Sequence, residues 1–324
     1  MNAAPSPTIA VRVARKSVEA EGIAGFELVA AEGAELPEFT AGAHIDVTLP
    51  NGAMRQYSLC NPPGERHRYC IGVLRDPATR GGSAAMHDAV AEGSTLTISA
   101  PKNHFALHEA AAHTVLFAGG IGITPLLAMA ERLSGLGASF EMHYCTRSAA
   151  LTAFLPRLRA STFWPQVHLH RDDGAPEQKL DLAHRLAVPE SGTHLYVCGP
   201  KGFLDAVRAT ARDKGWPDAQ VHFEYFSGGE VHAADDTSFE VVLHRSGKVV
   251  RVEAAQTIVE ALAAQGVDVP VSCQQGVCGT CLTPVLEGVV DHKDLYLSPE
   301  EQAANDQFLP CCSRAKGRRL VIDL

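Results

Sequence analysis

Five of the nine cysteines in this chain of 324 residues lie within one short region. They are Cys273, Cys278, Cys281, Cys311 and Cys312, whereas the other four are scattered over the first 200 residues. A secreted disulfide scaffold is normally short and has an even number of cysteines. Because this chain has neither property, we expect reduced thiols that bind metal or take part in redox chemistry.

The spacing within this group selects one kind of metal centre. Cys273, Cys278 and Cys281 form the pattern C-x4-C-x2-C in the segment SCQQGVCGTC. A [2Fe–2S] cluster uses this spacing together with a distant fourth cysteine, whereas zinc sites favour two separated short pairs. The two glycines of the segment suit a loop that wraps tightly around a cluster. Spacing alone admits either Cys311 or Cys312 as the fourth ligand.

The region around these cysteines resembles a plant-type ferredoxin domain, in which, as here between Cys281 and Cys311, 29 residues separate the third and fourth ligands. The resemblance implies that Cys311 is the ligand and that Cys312 is a small buried neighbour. Residues 239–255 alternate in polarity like a β-hairpin, and residues 257–266 have the pattern of an amphipathic helix. A hairpin, a helix and a cysteine loop in this order predict a C-terminal β-grasp domain.

Residues 113–137, HTVLFAGGIGITPLLAMAERLSGLG, predict a phosphate-binding turn. An apolar strand leads through Gly119, Gly120 and Gly122 into a helix with Pro125 near its first turn. Backbone N–H groups and the helix dipole at such a turn attract an anion without a cationic side chain. The segment departs from G-x-G-x-x-G, so by itself it also fits an ordinary strand-to-helix turn.

Short apolar strands alternate with helical segments near 149–160, 180–187 and 202–214, which predicts a doubly wound parallel sheet of about five strands. Ligands bind at the carboxyl ends of such strands, where the segments 146–148 and 198–200 lie. Its position at a strand end makes Cys198 a candidate for a cofactor contact, and a packed core thiol is the other interpretation. The further strands are predicted at residues 139–146, 166–170, 194–198 and 221–226.

The first 108 residues predict a different architecture, an antiparallel β-barrel. Their apolar runs are short and are separated by turns that contain Pro, Gly or Asn. Two short motifs lie among them, RQYS (55–58) and RGGS (80–83). An arginine beside small residues with free N–H groups suits a phosphate, and a tyrosine face suits a flat ring. Taken singly, each motif is also typical of a solvated surface.

These three motif sets occur in one order along almost the whole chain. In this order the sequence resembles the phthalate dioxygenase reductase family, including the vanillate O-demethylase reductase components, within the ferredoxin–NADP reductase-like group. The resemblance implies an iron–sulfur flavoprotein that feeds electrons to a terminal Rieske-type oxygenase. The expected domains are an FMN-binding β-barrel (1–108), a NAD(P)-binding α/β domain (109–226), a polar linker (227–236) and a plant-type [2Fe–2S] ferredoxin domain (237–324).

The resemblance also assigns roles to single residues of the barrel. It implies that Arg55 binds the flavin phosphate, that Tyr57 packs on the isoalloxazine ring, and that Ser58 lies near the reactive N5 atom. The second phosphate segment of the family matches Gly81, Gly82 and Ser83.

For the nicotinamide nucleotide and the cluster, the resemblance implies three further groups of residues. Ser58, Cys198 and Phe226 are the expected catalytic contacts, and Phe226 is expected to cover the flavin. The alternative for Phe226 is the last core residue of a strand. The remaining assignments are Gly120, Gly122 and Thr124 for the phosphate turn, Cys198, Gly199 and Pro200 for the nicotinamide edge, and Cys273, Cys278, Cys281 and Cys311 for iron.

The chemistry explains why these parts belong together. A nicotinamide gives up two electrons as hydride, a [2Fe–2S] cluster accepts one, and a flavin can stand between them. We therefore expect no Ser-His-Asp triad, no essential acid–base pair, and no ligand role for the 15 histidines, which are scattered along the sequence.

Two cofactor choices follow from weaker signals. FMN is favoured over FAD by the resemblance to the phthalate reductase branch. NADH is favoured over NADPH, although Arg147 and Ser148 lie where a 2′-phosphate would bind and the pattern lacks a clear acidic ribose-binding residue.

Composition excludes several other classes. The net charge of −9 argues against nucleic-acid binding, and no apolar run reaches the length of roughly 18 residues that a membrane span needs. The first residues carry charges where a signal peptide is apolar, so we expect a cytoplasmic protein. The alternatives to an oxygenase reductase are a stand-alone flavin and iron–sulfur reductase of another acceptor and a redox-sensing module. The former would be expected to carry a haem domain or an extra pocket, and the latter has no use for a full nucleotide domain.

Overall fold

The computed structural model describes residues 8–76, 81–226 and 236–324. The chain falls into two units, Met1–Glu224 and Tyr225–Leu324. The first contains both predicted N-terminal architectures and the second contains the predicted ferredoxin domain. Arg80 and the predicted linker, apart from its last residue, lie outside the described residues. Within the described ranges, no helix is both long and apolar enough to cross a membrane.

The first six strands form one antiparallel sheet in the order β4-β3-β6-β1-β2-β5. A bridge between Leu59, directly after β4, and Ile71 of β5 joins its two edges, so the sheet closes as the predicted barrel. Alternating apolar residues such as Val11 and Ile45 form its core. The elements are β1 (Thr8–Ala20), β2 (Ile23–Ala30), β3 (His44–Thr48), β4 (Met54–Ser58), β5 (Tyr69–Leu74), α1 (Gly82–Ala89) and β6 (Thr95–Ser99).

The next five strands form a second sheet in the order β11-β10-β7-β8-β9. The pairs β10–β7, β7–β8 and β8–β9 are parallel, as the alternation of strands and helices predicts. β8 and β9 lie on one side of β7, and the later strands β10 and β11 lie on the other side. The carboxyl ends of β7 and β10 therefore flank the switch point where ligands bind in such sheets. The strands are β7 (His113–Gly119), β8 (Phe140–Thr146), β9 (Val167–Arg171), β10 (Thr193–Gly199) and β11 (Val221–Tyr225).

The helices between these strands follow the predicted positions with one difference. Where one helix is expected near 149–160, the structure has a 3-10 turn at Ala149–Leu151 and a separate helix at Leu155–Ala160. Phe154, between them, has a φ of 58°, which is incompatible with a continuous α-helix. The helices are α2 (Ile123–Leu136), α3 (Leu155–Ala160), α4 (Leu182–Arg185) and α5 (Lys201–Asp213).

The second unit has a sheet in the order β13-β12-β18-β14-β16. β12 and β13 form the predicted antiparallel hairpin, and β18 pairs parallel with β12. The side chain of Thr257 accepts the Glu260 N–H and the Glu260 side chain accepts the Thr257 N–H, which starts the predicted helix. The elements are β12 (Phe239–Leu243), β13 (Val249–Val252), α6 (Ile258–Ala263), β14 (Thr283–Glu287), β15 (Val290–Asp291), α7 (Pro299–Ala304), β16 (Gln307–Phe308), β17 (Arg314–Ala315) and β18 (Arg319–Ile322).

Candidate functional site

A cationic side chain and a helix N-terminus meet on the barrel. Arg55 lies on β4, and a Cβ added to Gly82, the first residue of α1, would be 2.6 Å from Arg55 Nε. Gly81 before it has a φ of 87°, a left-handed conformation that glycine adopts without strain. The first-turn N–H groups of a helix have no partner within the helix, so the guanidinium and these groups form a cradle suited to a phosphate.

Polar contacts fix the entry to this cradle. Asn51 Nδ2 donates to Gly81 O at 3.3 Å, and Ser83 Oγ accepts the N–H of Asp76 at 3.1 Å. Arg55 Nη1 donates to Met54 O at 2.7 Å. Asn51 was not singled out from the sequence, although its place in the Asn-Gly turn before β4 was a usable signal.

Tyr57 and Ser58 occupy the end of the same strand. Tyr57 is half-buried and packs against the barrel core. Burial raises the pKa of Tyr57 to about 12, against a smaller opposite effect of Arg55, so the phenol stays neutral. Ser58 is buried at the last position of β4. The roles expected of these two residues toward a flavin ring stay predictions.

The glycine turn after β7 makes very close backbone contacts with the end of β10. A Cβ on Gly122 would lie 2.2 Å from Cys198 O, and a Cβ on Gly199 would lie 2.8 Å from Gly119 Cα. Any side chain at these positions would collide with backbone. Gly120, in contrast, has a φ of 52° and open space where a Cβ would point. Backbone contacts at Gly122 and Gly199 therefore hold the turn tightly, while the backbone at Gly120 stays open. An anion site at the switch point requires this combination.

Thr124, expected to contact the nucleotide, is turned inward. Its hydroxyl donates to Ile121 O at 3.0 Å. If Gly72 of β5 had a Cβ, that atom would lie 2.9 Å from the methyl group of Thr124 and 2.9 Å from the ring of Phe154. Thr124 thus packs the phosphate turn against the barrel, and its expected contact with a nucleotide stays a prediction.

Cys198 is fully buried beside a carboxyl group that was not identified from the sequence. Burial, and then Glu224 on β11, raise the pKa of the Cys198 thiol well above its ordinary value. Burial also raises the pKa of Glu224 to about 8, and its Oε2 atom has no hydrogen-bond partner in the part of the chain described. A neutral thiol and a protonated carboxyl group therefore lie next to each other at neutral pH. The signal for Glu224 was an acidic residue inside the apolar strand VHFEYF.

Two further residues, Pro200 and Phe226, are expected on the nicotinamide side. Pro200 leads from β10 into α5, and its Cδ would be 2.9 Å from a Cβ on Gly119. Phe226 directly follows β11 and is half-buried. The structure gives no ring partner for Phe226 among the described residues, so its expected place over a flavin stays a prediction.

An acidic pair lies at the neighbouring carboxyl ends of β8 and β9. The N–H of Asp172 donates to Thr146 O at 3.0 Å, and the N–H of Asp173 donates to Arg147 O at 3.1 Å. Both aspartates are exposed beside Arg147. The sequence pattern indicated no clear acidic ribose-binding residue, because only the cross-strand register brings these carboxylates next to residues 146–148.

In the second unit the four expected iron ligands form two pairs. The thiol of Cys273 is hydrogen-bonded to that of Cys278, and the thiol of Cys281 to that of Cys311. The N–H of Gln275 donates to Cys273 Sγ at 3.3 Å. The hydrogen bond from Cys273 lowers the pKa of Cys278, so this thiol ionises first.

Two pairs of thiols fit a centre with two iron atoms, each held by two sulfurs. Within the described ranges, no group of three or more metal-binding side chains converges on one point, as a single zinc ion requires. Gly276 and Gly279 have φ values of 74° and 71°, which let the loop pass closely around the pairs. The residues present therefore fit a [2Fe–2S] cluster.

Comparisons with known proteins identify the family of the chain. The 2Fe-2S iron-sulfur cluster binding domain family matches residues 241–316, and the N-terminal domain family of dimethylamine monooxygenase subunit DmmA-like proteins matches residues 98–221. Vanillate O-demethylase oxidoreductase of Pseudomonas sp. (strain HR199 / DSM 7063) is 50% identical over 316 residues, which cover 98% of this chain and 100% of the relative. The chain belongs to the phthalate dioxygenase reductase family.

A solved structure and a second relative extend this comparison. A phthalate dioxygenase reductase, described as a modular structure for electron transfer from pyridine nucleotides to [2Fe–2S], matches with a TM-score of 0.84 and 40% identity, covering 98% of both chains. Tetrachlorobenzoquinone reductase of Sphingobium chlorophenolicum is 45% identical over 323 residues, covering 99% of each chain. The predicted family and fold class are confirmed.

As a member of the phthalate dioxygenase reductase family, the chain is an iron–sulfur flavoprotein oxidoreductase. Its cofactors are a flavin, a pyridine nucleotide and a [2Fe–2S] cluster. That the cradle at Arg55, the glycine turn and the thiol pairs each hold one of these cofactors stays a prediction.

Six of the histidines, although scattered along the sequence, stack on one another in the fold. The ring of His143 stacks against those of His168 and His170, with centroids 5.1 and 5.2 Å apart. A second stack joins His108, His194 and His222. Strand register brings these rings together, and burial lowers the pKa of His143 and His170 to about 4.

Proposed function

We propose that this chain is the reductase component of a Rieske-type aromatic-ring oxygenase or O-demethylase. In this proposal, electrons pass from NADH to FMN and then singly through the [2Fe–2S] cluster to the oxygenase. The observation that carries the proposal is the presence in one chain of a phosphate cradle, a glycine turn at a switch point and two thiol pairs. The 50% identity to vanillate O-demethylase oxidoreductase supports the choice of partner.

The side chains of this site bind and orient more than they react. A flavin, when bound, accepts the two electrons of a hydride and releases them one at a time. Arg55 and the N-terminus of α1 hold a phosphate, while the turn at 119–122 holds the pyrophosphate of the nucleotide. Cys198 is fully buried and neutral, so it places no charge at the end of β10, where we expect the nicotinamide. Hydride transfer requires only that two rings be held at near-attack distance, roughly 3–3.5 Å.

FMN is our choice over FAD. The cradle formed by Arg55, Gly81 and Gly82 offers one cation and one helix N-terminus, which suits a single phosphate group. Mass analysis of the flavin released by denaturation tests this choice. FMN is expected, and FAD as the released species would contradict it.

NADH is our choice over NADPH. The carboxylates of Asp172 and Asp173 suit the free hydroxyl groups of a ribose and repel a 2′-phosphate. Comparing kcat/KM for the two nucleotides is the direct test, and a preference for NADPH would contradict the choice. Exchanging Asp172 and Asp173 for Asn should raise kcat/KM for NADPH, whereas Asp213→Asn at the end of α5 is the matched control.

A variant that lacks one iron ligand tests the electron path. Cys281→Ala should still oxidise NADH with ferricyanide, a small acceptor that reaches the flavin directly. The same variant should lose electron transfer to the oxygenase and to cytochrome c, because both need the cluster. Full reduction of the oxygenase by this variant would contradict the proposed order of cofactors.

The 45% identity to tetrachlorobenzoquinone reductase favours a second candidate, direct reduction of a quinone. A quinone takes up two electrons and has no need of a one-electron carrier. If quinone reduction is the natural reaction, Cys281→Ala should retain it, and no oxygenase should be reduced faster than the quinone. The redox-sensing alternative predicts no turnover of NADH at all.

We also propose the domain limits 1–108, 109–226 and 237–324, with the linker at 227–236. A cytoplasmic location is proposed because the reaction draws on reduced pyridine nucleotide and because all nine cysteines are free thiols. Limited proteolysis that cuts within 227–236 and releases the [2Fe–2S] domain would support the last boundary, and cleavage confined to other segments would contradict it.

A further inference from the structure

One thiol of the cysteine group has no part in the proposed function. Cys312 is only 3% exposed and directly follows the ligand Cys311. Its Sγ lies 3.6 Å from Leu309 O and 3.8 Å from Ser313 Oγ. A buried free cysteine usually serves as a small apolar side chain, but this one lies within the group of iron ligands.

The thiols of Cys281, Cys311 and Cys312 form a continuous chain of contacts. Cys311 is hydrogen-bonded to Cys281 on one side and to Cys312 on the other. A thiol gives up its proton when a metal ion binds to it.

The ligand loop is shaped around the same thiol. A Cβ on Gly276 would lie only 2.6 Å from Cys312 Sγ. Since Gly276 lies between Cys273 and Cys278 in the chain, its missing side chain leaves room for Cys312 against the loop that carries two other ligands. Cys312 therefore contacts both the ligand loop and the fourth ligand.

Cys311 and Cys312 share a short turn. The N–H groups of Cys312 and Ser313 both donate to Leu309 O, at 3.2 and 3.0 Å. Neither cysteine belongs to a strand. The two adjacent thiols are therefore carried by one turn outside the strands.

We propose that Cys312 is a standby ligand that replaces Cys311 at the cluster when Cys311 is released or missing. The proposal rests on the ligand set of the proposed function. In the intact chain, the Fe–S bond to Cys311 breaks and a bond to Cys312 forms. Cys312 loses its proton, the released Cys311 sulfur takes one up, and no electron is transferred.

Three full-length variants test this assignment: Cys311→Ala, Cys312→Ala and the double variant. Iron and sulfide content, visible absorption and the EPR spectrum of the reduced protein report the cluster without relying on activity. Cys311→Ala should keep about two iron atoms per chain and show a shifted EPR spectrum. Cys312→Ala should keep the cluster with the native spectrum, and the double variant should lose it.

The outcomes distinguish a failure of the standby role from a failure of the proposed ligand set. An iron-free Cys311→Ala protein that still binds flavin would overturn the standby role while leaving the proposed ligands intact. An iron-free Cys312→Ala protein beside a native-like Cys311→Ala protein would show that the fourth ligand itself is wrong. Cys311→Ser is a second variant in case the alanine variant does not fold: the spectrum should remain that of four thiolates, and a spectrum of oxygen ligation contradicts the standby role.

Discussion

Glu224 is the buried carboxyl group next to Cys198, the thiol that we expect on the nicotinamide side of the site. Its pKa of about 8 means that it is a neutral acid at pH 7 and a carboxylate above pH 8. The nicotinamide ring becomes cationic as hydride leaves, and a nearby carboxylate stabilises that charge. We expect the rate of flavin reduction by NADH to rise through pH 8.

Glu224→Gln should abolish this rise and be about tenfold slower at pH 9, equivalent to ~1.4 kcal/mol of barrier. Stopped-flow flavin absorbance from pH 6 to 9.5 measures the effect. Glu177→Gln, at an exposed position of the same unit, is the control. A variant that keeps the native pH profile would remove Glu224 from the reaction.

Gly122 is the residue at which added volume is least tolerated. Its Cβ would meet the carbonyl of Cys198 at 2.2 Å, and backbone cannot move aside as a flexible side chain can. Gly122→Ala should cost about 1–3 kcal/mol of unfolding free energy and raise KM for NADH. Thermal unfolding and steady-state kinetics measure both. Gly202→Ala is the control because nothing lies within 4 Å of its Cβ, and an equal loss there would contradict the cause.

The residues that could be predicted from sequence are those whose identity carries their chemistry. Cys273, Cys278 and Cys281 are predicted from their spacing, and the glycines at 119–122 from the need for small residues. Spacing alone leaves the choice between Cys311 and Cys312 open. Glu224, Asp172 and Asp173 could not be assigned, because burial and cross-strand neighbours decide what a carboxyl group does. For Thr124 the motif predicts a nucleotide contact, and no local pattern indicates that its hydroxyl bonds to Ile121 O.

At the scale of elements, β8 and β9 carry an acid-sensitive group of rings. His143 hydrogen-bonds to His170 at 2.9 Å and stacks on Phe117, and Glu141 with Arg185 lies beside it. Because the folded pKa is about 4 and the unfolded value is about 6.5, the unfolded chain takes up protons first as pH falls. Stability is therefore full above pH 6.5 and lost toward pH 4.

Each unit of pKa shift is worth about 1.4 kcal/mol, so His143 alone contributes on the order of 3 kcal/mol at neutral pH. Melting temperature measured from pH 7.5 to 5 should fall steeply in the native chain. His143→Phe, which keeps the stacked ring without the titration, should make the fall shallower without removing it, because the pKa of His170 is also lowered to about 4. The exposed His67→Phe variant should not, and equal slopes in both variants would contradict the assignment.

Strands and helices were largely predictable because their apolar residues recur with the right period. The β12–β13 hairpin, helix α6 with its Thr257 cap, and β7 with its glycine turn all follow from local pattern. The order of strands in each sheet does not, since it depends on which edges pair after the chain has turned back. The break at Phe154 was also not predictable, because a positive φ at an aromatic residue is set by packing.

On the scale of the whole molecule, charge is distributed unevenly with respect to the cluster. The chain has a net charge of −9, yet residues 269–286, which include three ligand thiols, contain no charged residue. Leu282 and Leu286 are exposed in this segment. Salt screens interactions between charges and leaves uncharged contacts nearly unaffected.

We therefore expect the rate of electron transfer to the oxygenase to change less than about threefold as salt rises from roughly 0.05 to 0.5 M. Stopped-flow reduction of the oxygenase at several salt concentrations measures this. Leu282→Glu should make the rate salt-dependent. A steep fall in the native protein would mean that charged residues elsewhere govern the encounter.

The pairing of Cys281 with Cys311 has a consequence for how the protein is made. A ribosome delivers Cys273, Cys278 and Cys281 almost together, but Cys311 only after 29 more residues. A nascent chain that ends between them holds one complete thiol pair and half of the other. Assembly of the cluster must therefore wait for translation of β14 through β16. A product truncated within that stretch lacks one of the two thiols that would hold the second iron atom.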